Sequence, residues 1–367
     1  MNTTDLIAHE WGTFTTVSRG NGIIMPWQSY EGAADLPDFV HTMAPIHRID
    51  KTYSMAMVRM ETPVVYFYTQ TPQTVAVRAK MPAGIMTEWY PQAMNHLSFL
   101  DWPQVQLLPD EQVTVPTGEG DDHYTASRET DAVPVRVQIG DKTEHEKLLF
   151  YRGVGMFQVP ISVKLEDDKI RVEPKDNAQY DQVIVFDNRD GKPRFSVLEP
   201  GKHPAEVRRD SLANRGTPES ELFSILTANG LYVKEAKAML KTWRDSWYEP
   251  GLRVFYVLPQ QQMEEVLELT IIPQPKELKR VIVGRYDVLT PEQVSELKES
   301  VLGAKEINDE LVKEAREEFG RFVEPLSRLV MNEFKSDSPE YKKAGQFYDQ
   351  VFGQQQKLIF GQFAQPT

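Results

Sequence analysis

The sequence contains no cysteine among its 367 residues. Disulfide bonds, zinc–thiolate sites, iron–sulfur clusters and cysteine nucleophiles are therefore excluded. Because cytosolic proteins usually keep a few thiols, the absence of cysteine slightly favours an extracytoplasmic protein.

Long apolar runs are also missing. No segment approaches the roughly 20 apolar residues that a membrane-spanning helix needs, so we predict no membrane span. The first eleven residues have neither the basic start nor the apolar stretch of a signal peptide. We therefore expect either a cytosolic protein or an extracytoplasmic one whose leader is absent from this sequence.

Positive charge is scarce relative to negative charge. The chain has 41 Lys and Arg residues and 54 Asp and Glu residues, which gives a formal net charge of −13. Nucleic-acid binding needs clustered cations that neutralise phosphates, so this balance argues against a nucleic-acid partner. The 40% hydrophobic and 26% charged content is typical of a soluble globular protein, large enough for one composite domain or two.

Several catalytic signatures are absent. The chain has no H-E-x-x-H, no G-x-S-x-G, no phosphate-binding G-x-x-x-x-G-K-[ST] and no dinucleotide-binding glycine motif. The segment "RGVG" at 152–155 is too short for a phosphate loop, and its glycines predict a β-bulge or a sharp bend.

Two hydrophobic patterns predict strands in the first half of the chain. Alternating apolar and polar residues indicate antiparallel strands with one buried face, and continuous apolar runs indicate central strands. The alternating segments are 75–81, 133–139 and 161–165, and the continuous segments are 64–68, 148–151 and 183–186. Many short strands with turns between them favour a sandwich or an open barrel.

Helix signals come later. Thr217-Pro218 starts a predicted helical pair at about 215–248, which we interpret as an insertion because strands resume after it. From Thr290-Pro291 onward the pattern is helical, with a predicted kink at Pro325. The predicted fold class is α+β, mainly antiparallel β with a sandwich-like core. We divide it into a β-rich domain at 1–290 and a helical region at 291–367.

Three of the seven histidines are candidate metal ligands. His9, His96 and His123 lie among aromatic or small polar residues, a setting in which an imidazole can be partly dry and held by a second hydrogen bond. The alternative is that each is a hydrogen-bonded structural residue. Adjacent side chains on a strand point to opposite faces, so we expect His9 to face the site and Glu10 to be structural.

Charged residues beside apolar strands form a candidate catalytic group. Glu61 and Glu88 lie in such strands, and Arg128 lies beside further carboxylates. A carboxylate next to a buried strand must be paired, hydrogen-bonded or functional, and Arg59, Arg128 and Arg152 are the candidate partners. Either Glu–Arg pairs fasten the sheets together, or two carboxylates act as acid and base on a glycosidic bond.

Five segments carry a resemblance to a known family. They read "AHEWGTFT", "METPVVYFY", "TEWYP", "FYRGVGMF" and "SWYEPGLRVFYVLP". With them the chain resembles a family of uncharacterised bacterial secreted proteins whose mature region opens with H-E-W-G-T-F-T. The resemblance covers His9 to about Pro291. It implies a removed leader and an extracytoplasmic location, and it implies no activity or catalytic residue.

Three functions are consistent with these residues. The first is a metal-dependent enzyme of the hydrolase class, in which His9, His96 and His123 bind a divalent Zn, Cu, Fe or Mn ion. Glu10, Glu61 or Glu88 is then the remaining ligand or the base that activates metal-bound water.

The second is a non-catalytic binding or scaffold protein. Its aromatic surface would hold a glycan, a peptide or another small molecule, and its C-terminal helices would contact a protein partner or a second copy. The third is a metal-free glycosidase that uses Glu61 and Glu88.

Overall fold

The computed structural model describes most of the chain. The described residues are 5–27, 36–43, 57–118, 122–189, 191–213 and 216–361, with side chains as far as 353.

Strands dominate the first 290 residues, and helices follow them. The strands are β1 Ile7–Arg19, β2 Ile24–Met25, β3 His41–Thr42, β4 Val58–Met60, β5 Val64–Tyr68, β6 Gln73–Lys80, β7 Gly84–Tyr90, β8 Met94–Asn95, β9 Phe99–Leu107, β10 Val135–Ile139, β11 Lys142–Glu146, β12 Leu149–Gly155, β13 Ile161–Glu166, β14 Lys169–Pro174, β15 Val183–Arg189, β16 Lys192–Leu198, β17 Ala205–Arg208, β18 Gly251–Val257, β19 Glu268–Ile272 and β20 Glu277–Leu289. The helices are α1 Pro218–Ala228, α2 Val233–Thr242, α3 Arg244–Trp247, α4 Gln260–Val266, α5 Pro291–Gly303, α6 Asp309–Phe319, α7 Val323–Asn332 and α8 Pro339–Gly361.

The strands form three sheets. The largest has eleven strands in the order β16-β15-β18-β20-β1-β4-β12-β7-β3, with β2 and β5 also paired to β1. At its centre, β1 and β20 run parallel over 13 residues each, although they are far apart in sequence. The second sheet has the order β11-β10-β9-β6-β19, and the third has the order β13-β14-β17.

Strand β1 is buried on both faces. Ala8 and Phe14 lie in the hydrophobic core between the large sheet and the other two sheets. Trp11 and Val17 lie on the opposite face, in two clusters that helices cover. This two-sided burial explains why β1 reads as neither a clean alternation nor a purely apolar run.

Two groups of helices cover one face of the large sheet. Helices α1 to α3 pack over Trp11 in one cluster, and helices α5 to α8 pack over Val17, Trp27 and Leu289 in another. The predicted α+β class, with a helical pair between strands and a helical C-terminal region, is confirmed. Within the described residues, every helix is too short or too polar to cross a membrane.

The predicted N-cap residues mark where two of the helices begin. Thr217 caps α1 by accepting a hydrogen bond from the Ser220 N–H, and Thr290 caps α5 in a capping box with Gln293.

The segment "RGVG" lies inside β12, where the pairing with β7 shifts register between Arg152 and Gly153. The extra residue at this shift is Thr87 on β7, so the irregularity belongs to the paired strand and not to the glycines.

The predicted kink at Pro325 is wrong in position. The helix ends earlier, at Phe319, where Gly320 adopts a φ of 56°. Pro325 then falls in the first turn of α7, which begins at Val323. A proline is tolerated there because the first backbone N–H groups of a helix have no partner within the helix.

Candidate functional site

His9 and Glu10 point to opposite faces of β1, as the strand period predicts. The Glu10 carboxylate accepts hydrogen bonds from Arg280 Nε at 2.6 Å and from the Tyr151 hydroxyl, on the face between the sheets. His9 faces helix α2 on the other side. Glu10 is therefore held in buried hydrogen bonds between the sheets, and the expectation that the two side chains point to opposite faces is confirmed.

Glu235 holds the imidazole of His9. His9 Nδ1 lies 2.9 Å from Glu235 Oε2, and the two residues are 1% and 0% exposed. The carboxylate also accepts hydrogen bonds from the Tyr68 hydroxyl and from the backbone N–H of Tyr232, each at 2.7 Å. Glu235 is the third residue of α2, so the capping box of that helix places its carboxylate beside β1.

This arrangement assigns different roles to the two nitrogens of His9. An ionised carboxylate only accepts hydrogen bonds, so we assign a proton to Nδ1, which faces Glu235. Nε2 is buried and has no hydrogen-bond partner among the residues that the structure describes. In the neutral imidazole, Nε2 therefore carries a lone pair.

Two tyrosine rings enclose His9. The ring of Tyr232 lies 4.4 Å from the imidazole between centroids, and the ring of Tyr68 lies 5.4 Å away. Tyr232 is 43% exposed, so a single ring at the surface covers the histidine.

The other two candidate ligands have separate partners. His96 is exposed and stacks on Phe99, with Asp101 at 3.9 Å. His123 lies over the ring of Trp243, and its Nε2 lies 2.9 Å from Asp245 Oδ1.

The described residues do not bring His9, His96 and His123 together. In this part of the chain, no group of three or more His, Asp and Glu side chains could hold a metal ion. The metal ion itself remains a prediction.

Arg128 fastens two segments together. Its guanidinium donates to the fully buried Glu146 at 2.6 Å, and the Tyr124 hydroxyl donates to the same carboxylate at 3.0 Å. Its charge also faces the rings of Phe39 and Tyr124. This pair attaches the short 3-10 helix at Thr125–Arg128 to β11.

Glu61 pairs with an arginine from the helical region. It accepts hydrogen bonds from the Thr15 hydroxyl and from Arg321 Nη2. Burial alone would raise the pKa of Glu61, but the Arg321 charge and the Thr15 hydroxyl lower it below its ordinary value of 4.5. The predicted partners all belong to the β-rich segment, so this pairing was missed.

Glu61 belongs to a row of charges that crosses the helix-covered face of the large sheet, and all of them are buried except the partly exposed Glu249. We call this row the arginine band. Its members are Arg59, Arg152, Arg253, Arg285 and Arg321, together with Glu61, Glu88, Glu249 and Asp287. Glu88 accepts a hydrogen bond from the Thr87 hydroxyl and lies opposite Arg152 in the pairing of β7 with β12.

One end of the arginine band is fully hydrogen-bonded. Arg253 donates to Asp287 at 2.9 Å and to the carbonyl groups of Trp247 and Pro250, each at 2.8 Å. Arg285 donates to Asp287 at 2.6 Å, to Glu249 at 2.5 Å and to the carbonyl group of Ser246 at 2.7 Å. These hydrogen bonds attach the segment at the end of α3 and after it to strands β18 and β20 of the large sheet.

The tryptophans form no exposed surface. All six are at most 7% exposed, and five of them are at most 1% exposed. An aromatic platform for sugar rings, as the binding hypothesis requires, therefore has no tryptophan available to it.

Sequence reasoning missed three residues around His9: Glu235, Tyr68 and Tyr232. No local signal marked Glu235, because the residue before its helix is Tyr232 and not the Ser, Thr, Asp or Asn that identifies a capping box in a sequence. Nothing local links it to His9, which is 226 residues away.

Comparison with known proteins adds little. No protein-family model and no curated protein matches the chain. Among solved structures, the yeast delta-COP-I mu-homology domain is similar with a TM-score of 0.30 and 7% identity, over 79% of this chain and 99% of that one. A TM-score of 0.30 is too low to relate the two folds.

Proposed function

We propose that this chain is a hydrolase in which His9 acts as a general base and Glu235 orients it. The observation that carries the proposal is the contrast between the two nitrogens of His9. Nδ1 is fixed by a buried carboxylate, while Nε2 is buried without a hydrogen-bond partner in the described part of the chain.

The proposed step moves one proton. A water molecule held at Nε2 gives its proton to the imidazole as its oxygen attacks the carbonyl carbon or phosphorus of the substrate. The resulting imidazolium lies beside the Glu235 carboxylate, which stabilises its charge. The same proton then passes to the leaving group. Tyr68 contributes by holding the carboxylate in place through its hydroxyl.

Substrate access requires a movement of Tyr232. The ring of Tyr232 stacks on the imidazole and is the exposed part of this cluster. Rotation of one side chain at the start of α2 opens a route to His9 without disturbing β1.

The alternatives have less support. The first alternative is a metal site. Metal-binding histidines also donate their other ring N–H to a carboxylate, but the described side chains form no metal-binding group with His9. A glycosidase needs a carboxylic acid with a raised pKa, whereas the pKa of Glu61 is lowered.

Substitution of His9 by Asn tests the proposal. The Asn amide can donate to Glu235 as Nδ1 does, but it provides no base at the position of Nε2. We expect the wild type to turn over at least one class in a panel of chromogenic esters, peptides, phosphoesters and glycosides. The rate should fall by about 10²–10⁴-fold in H9N. His203→Asn, which changes an exposed turn residue, is the matched control and should keep the wild-type rate.

Two further measurements decide between mechanisms. Metal analysis of untagged protein, and the rate in the presence of a chelator, separate a metal-free base from a metal site. Nitrogen-15 NMR of His9 should report the tautomer with its proton on Nδ1. A folded H9N variant with the wild-type rate, or a neutral His9 with its proton on Nε2, would contradict the proposal.

The extracytoplasmic location also stays a prediction, which fractionation of the native host would test.

A further inference from the structure

Strand β18 stops short of the start of its neighbour β20. The pairing of these two strands reaches Leu258, whose N–H donates to the Ile282 carbonyl group at 2.8 Å. The next residue is Pro259, which has no N–H for the ladder, and the chain leaves the sheet to form α4. Strand β20 begins at Glu277, so its first residues extend beyond the end of β18.

The start of β20 therefore has one free edge. On one side Glu277–Arg280 pair with β1, but on the β18 side they pair with no strand among the residues that the structure describes. Backbone groups point alternately to the two edges of a strand, and Ile282 directs its carbonyl group to β18. By this alternation, Leu278 and Arg280 direct their N–H and C=O groups to the free edge, whereas Lys279 directs its own to β1.

A cavity of about 350 Å³ lies at the position that a longer β18 would fill, and we call it the β18 slot. Leu278–Arg280 line one side, residues 179–182 before β15 line the other, and Leu258 and Pro259 lie at one end. Because β15 and β20 are the two neighbours of β18, these sides flank a single strand position. The volume falls within the range of ligand pockets, roughly 300–1,000 Å³.

Helices bound the β18 slot on both faces of the sheet. Ile225 and Ala228 line it from the end of α1, on the helix-covered face. Met263 lines it from α4, on the face between the sheets. Successive side chains of a strand in the slot would therefore face the two helices in turn.

The lining favours an uncharged occupant. Arg280 is paired with the buried Glu10, which leaves Asp181 and Lys279, of opposite sign, among the lining residues. The other polar side chains of the lining are mostly amides, which both donate and accept hydrogen bonds. These amides are Gln179, Gln182, Asn229 and Gln260.

We propose that the β18 slot binds an extended, uncharged peptide segment of another protein, which continues β18 and pairs with the start of β20. A row of N–H and C=O groups at strand spacing is matched by another extended backbone. In an antiparallel arrangement, one peptide residue opposite Arg280 and a second opposite Leu278 each exchange two hydrogen bonds with β20.

Amide hydrogen exchange of the full chain, resolved by residue with NMR, tests the proposal. In the free protein, Leu278 and Arg280 should exchange faster than Lys279, whose N–H faces β1. The probe is the capped pentapeptide acetyl-Thr-Val-Thr-Val-Thr-amide, which carries no charge and favours an extended backbone. At ten times its Kd, it should slow the exchange of Leu278 and Arg280 by about ten-fold and leave Lys279 unchanged.

One altered peptide and two variants locate the effect. The same peptide with every backbone nitrogen methylated keeps its side chains but has no N–H donors, and it should give no protection. Ala228→Trp fills the slot from the exposed end of α1 and should abolish the protection. Ser224→Trp places the same ring one turn earlier on α1, outside the slot, and should keep it. Slow exchange of Lys279 reports that each variant is folded.

Three results overturn the proposal. Slow exchange of Leu278 and Arg280 in the free protein would mean that the edge of β20 is already paired. Absence of protection by the capped peptide would mean that the slot does not accept a strand. Equal protection by the methylated peptide, or in Ala228→Trp, would mean that binding occurs elsewhere. None of these measurements depends on His9, so the proposal is independent of the hydrolase.

Discussion

The pair of Glu61 and Arg321 joins the β-rich part of the chain to its C-terminal helices, and its removal gives a sharp prediction. The two side chains are 8% and 5% exposed, so they are shielded from water and salt. Loss of one partner from a buried pair leaves the other charge uncompensated and typically costs about 3–5 kcal/mol. For a chain of this length, we expect Tm to fall by about 4–6 °C.

A double-mutant cycle measures the interaction itself. Arg321→Met and Glu61→Gln should each destabilise the protein, and the double variant should lose much less than the sum. We expect a coupling free energy of about 1.5–3 kcal/mol from urea unfolding. The matched control is the half-exposed pair of Lys298 and Glu333, where removal should cost no more than about 1 kcal/mol. Additive effects at Glu61 and Arg321 would refute the reasoning.

The same pair predicts a dependence of stability on pH. The pKa of Glu61 is lowered in the folded protein, against an ordinary value of 4.5, so the unfolded chain binds a proton more readily. The stabilisation is therefore complete above about pH 4.5 and is lost as the pH falls through the lower folded pKa. In Glu61→Gln, the free energy of unfolding should fall less steeply over this range.

Two further substitutions test the packing. Gly284→Ala should cost about 1–3 kcal/mol in urea unfolding, because the added Cβ overlaps the buried ring of Tyr256; Gly303→Ala, where the Cβ meets open space, should be neutral or stabilising. Tyr68→Phe removes one donor from the buried Glu235 carboxylate and should cost about 1.5–3 kcal/mol. A Tyr68→Phe variant with wild-type stability would show that this carboxylate is satisfied without the hydroxyl.

Part of the site was readable from the sequence. The period of a strand separates His9 from Glu10, and the structure confirms that the two residues serve opposite faces of β1. We chose His9 rather than Glu10 as the candidate functional residue because of this separation. Its partner was not readable, because Glu235 lies on a helix 226 residues later, and no local pattern specifies that α2 covers the start of β1.

The charged residues show the same limit. The sequence marks Glu61, Glu88 and Arg128 as groups that need partners beside apolar strands. It does not specify that Arg321 from the helical region pairs with Glu61, or that Arg128 pairs with Glu146. An ion pair depends on distance in space, and each of these distances is set by the packing of whole elements.

The sequence by itself determined the local structure: the alternating strands, the capped starts of α1 and α5, and the α+β class. These features depend on side-chain period, capping and backbone freedom within a few residues. The tertiary structure decided the parallel pairing of β1 with β20, the arginine band beneath the helices and the cover of Tyr232 over His9. Such contacts join residues far apart in the chain, and they form because burial of the shared apolar faces brings them together.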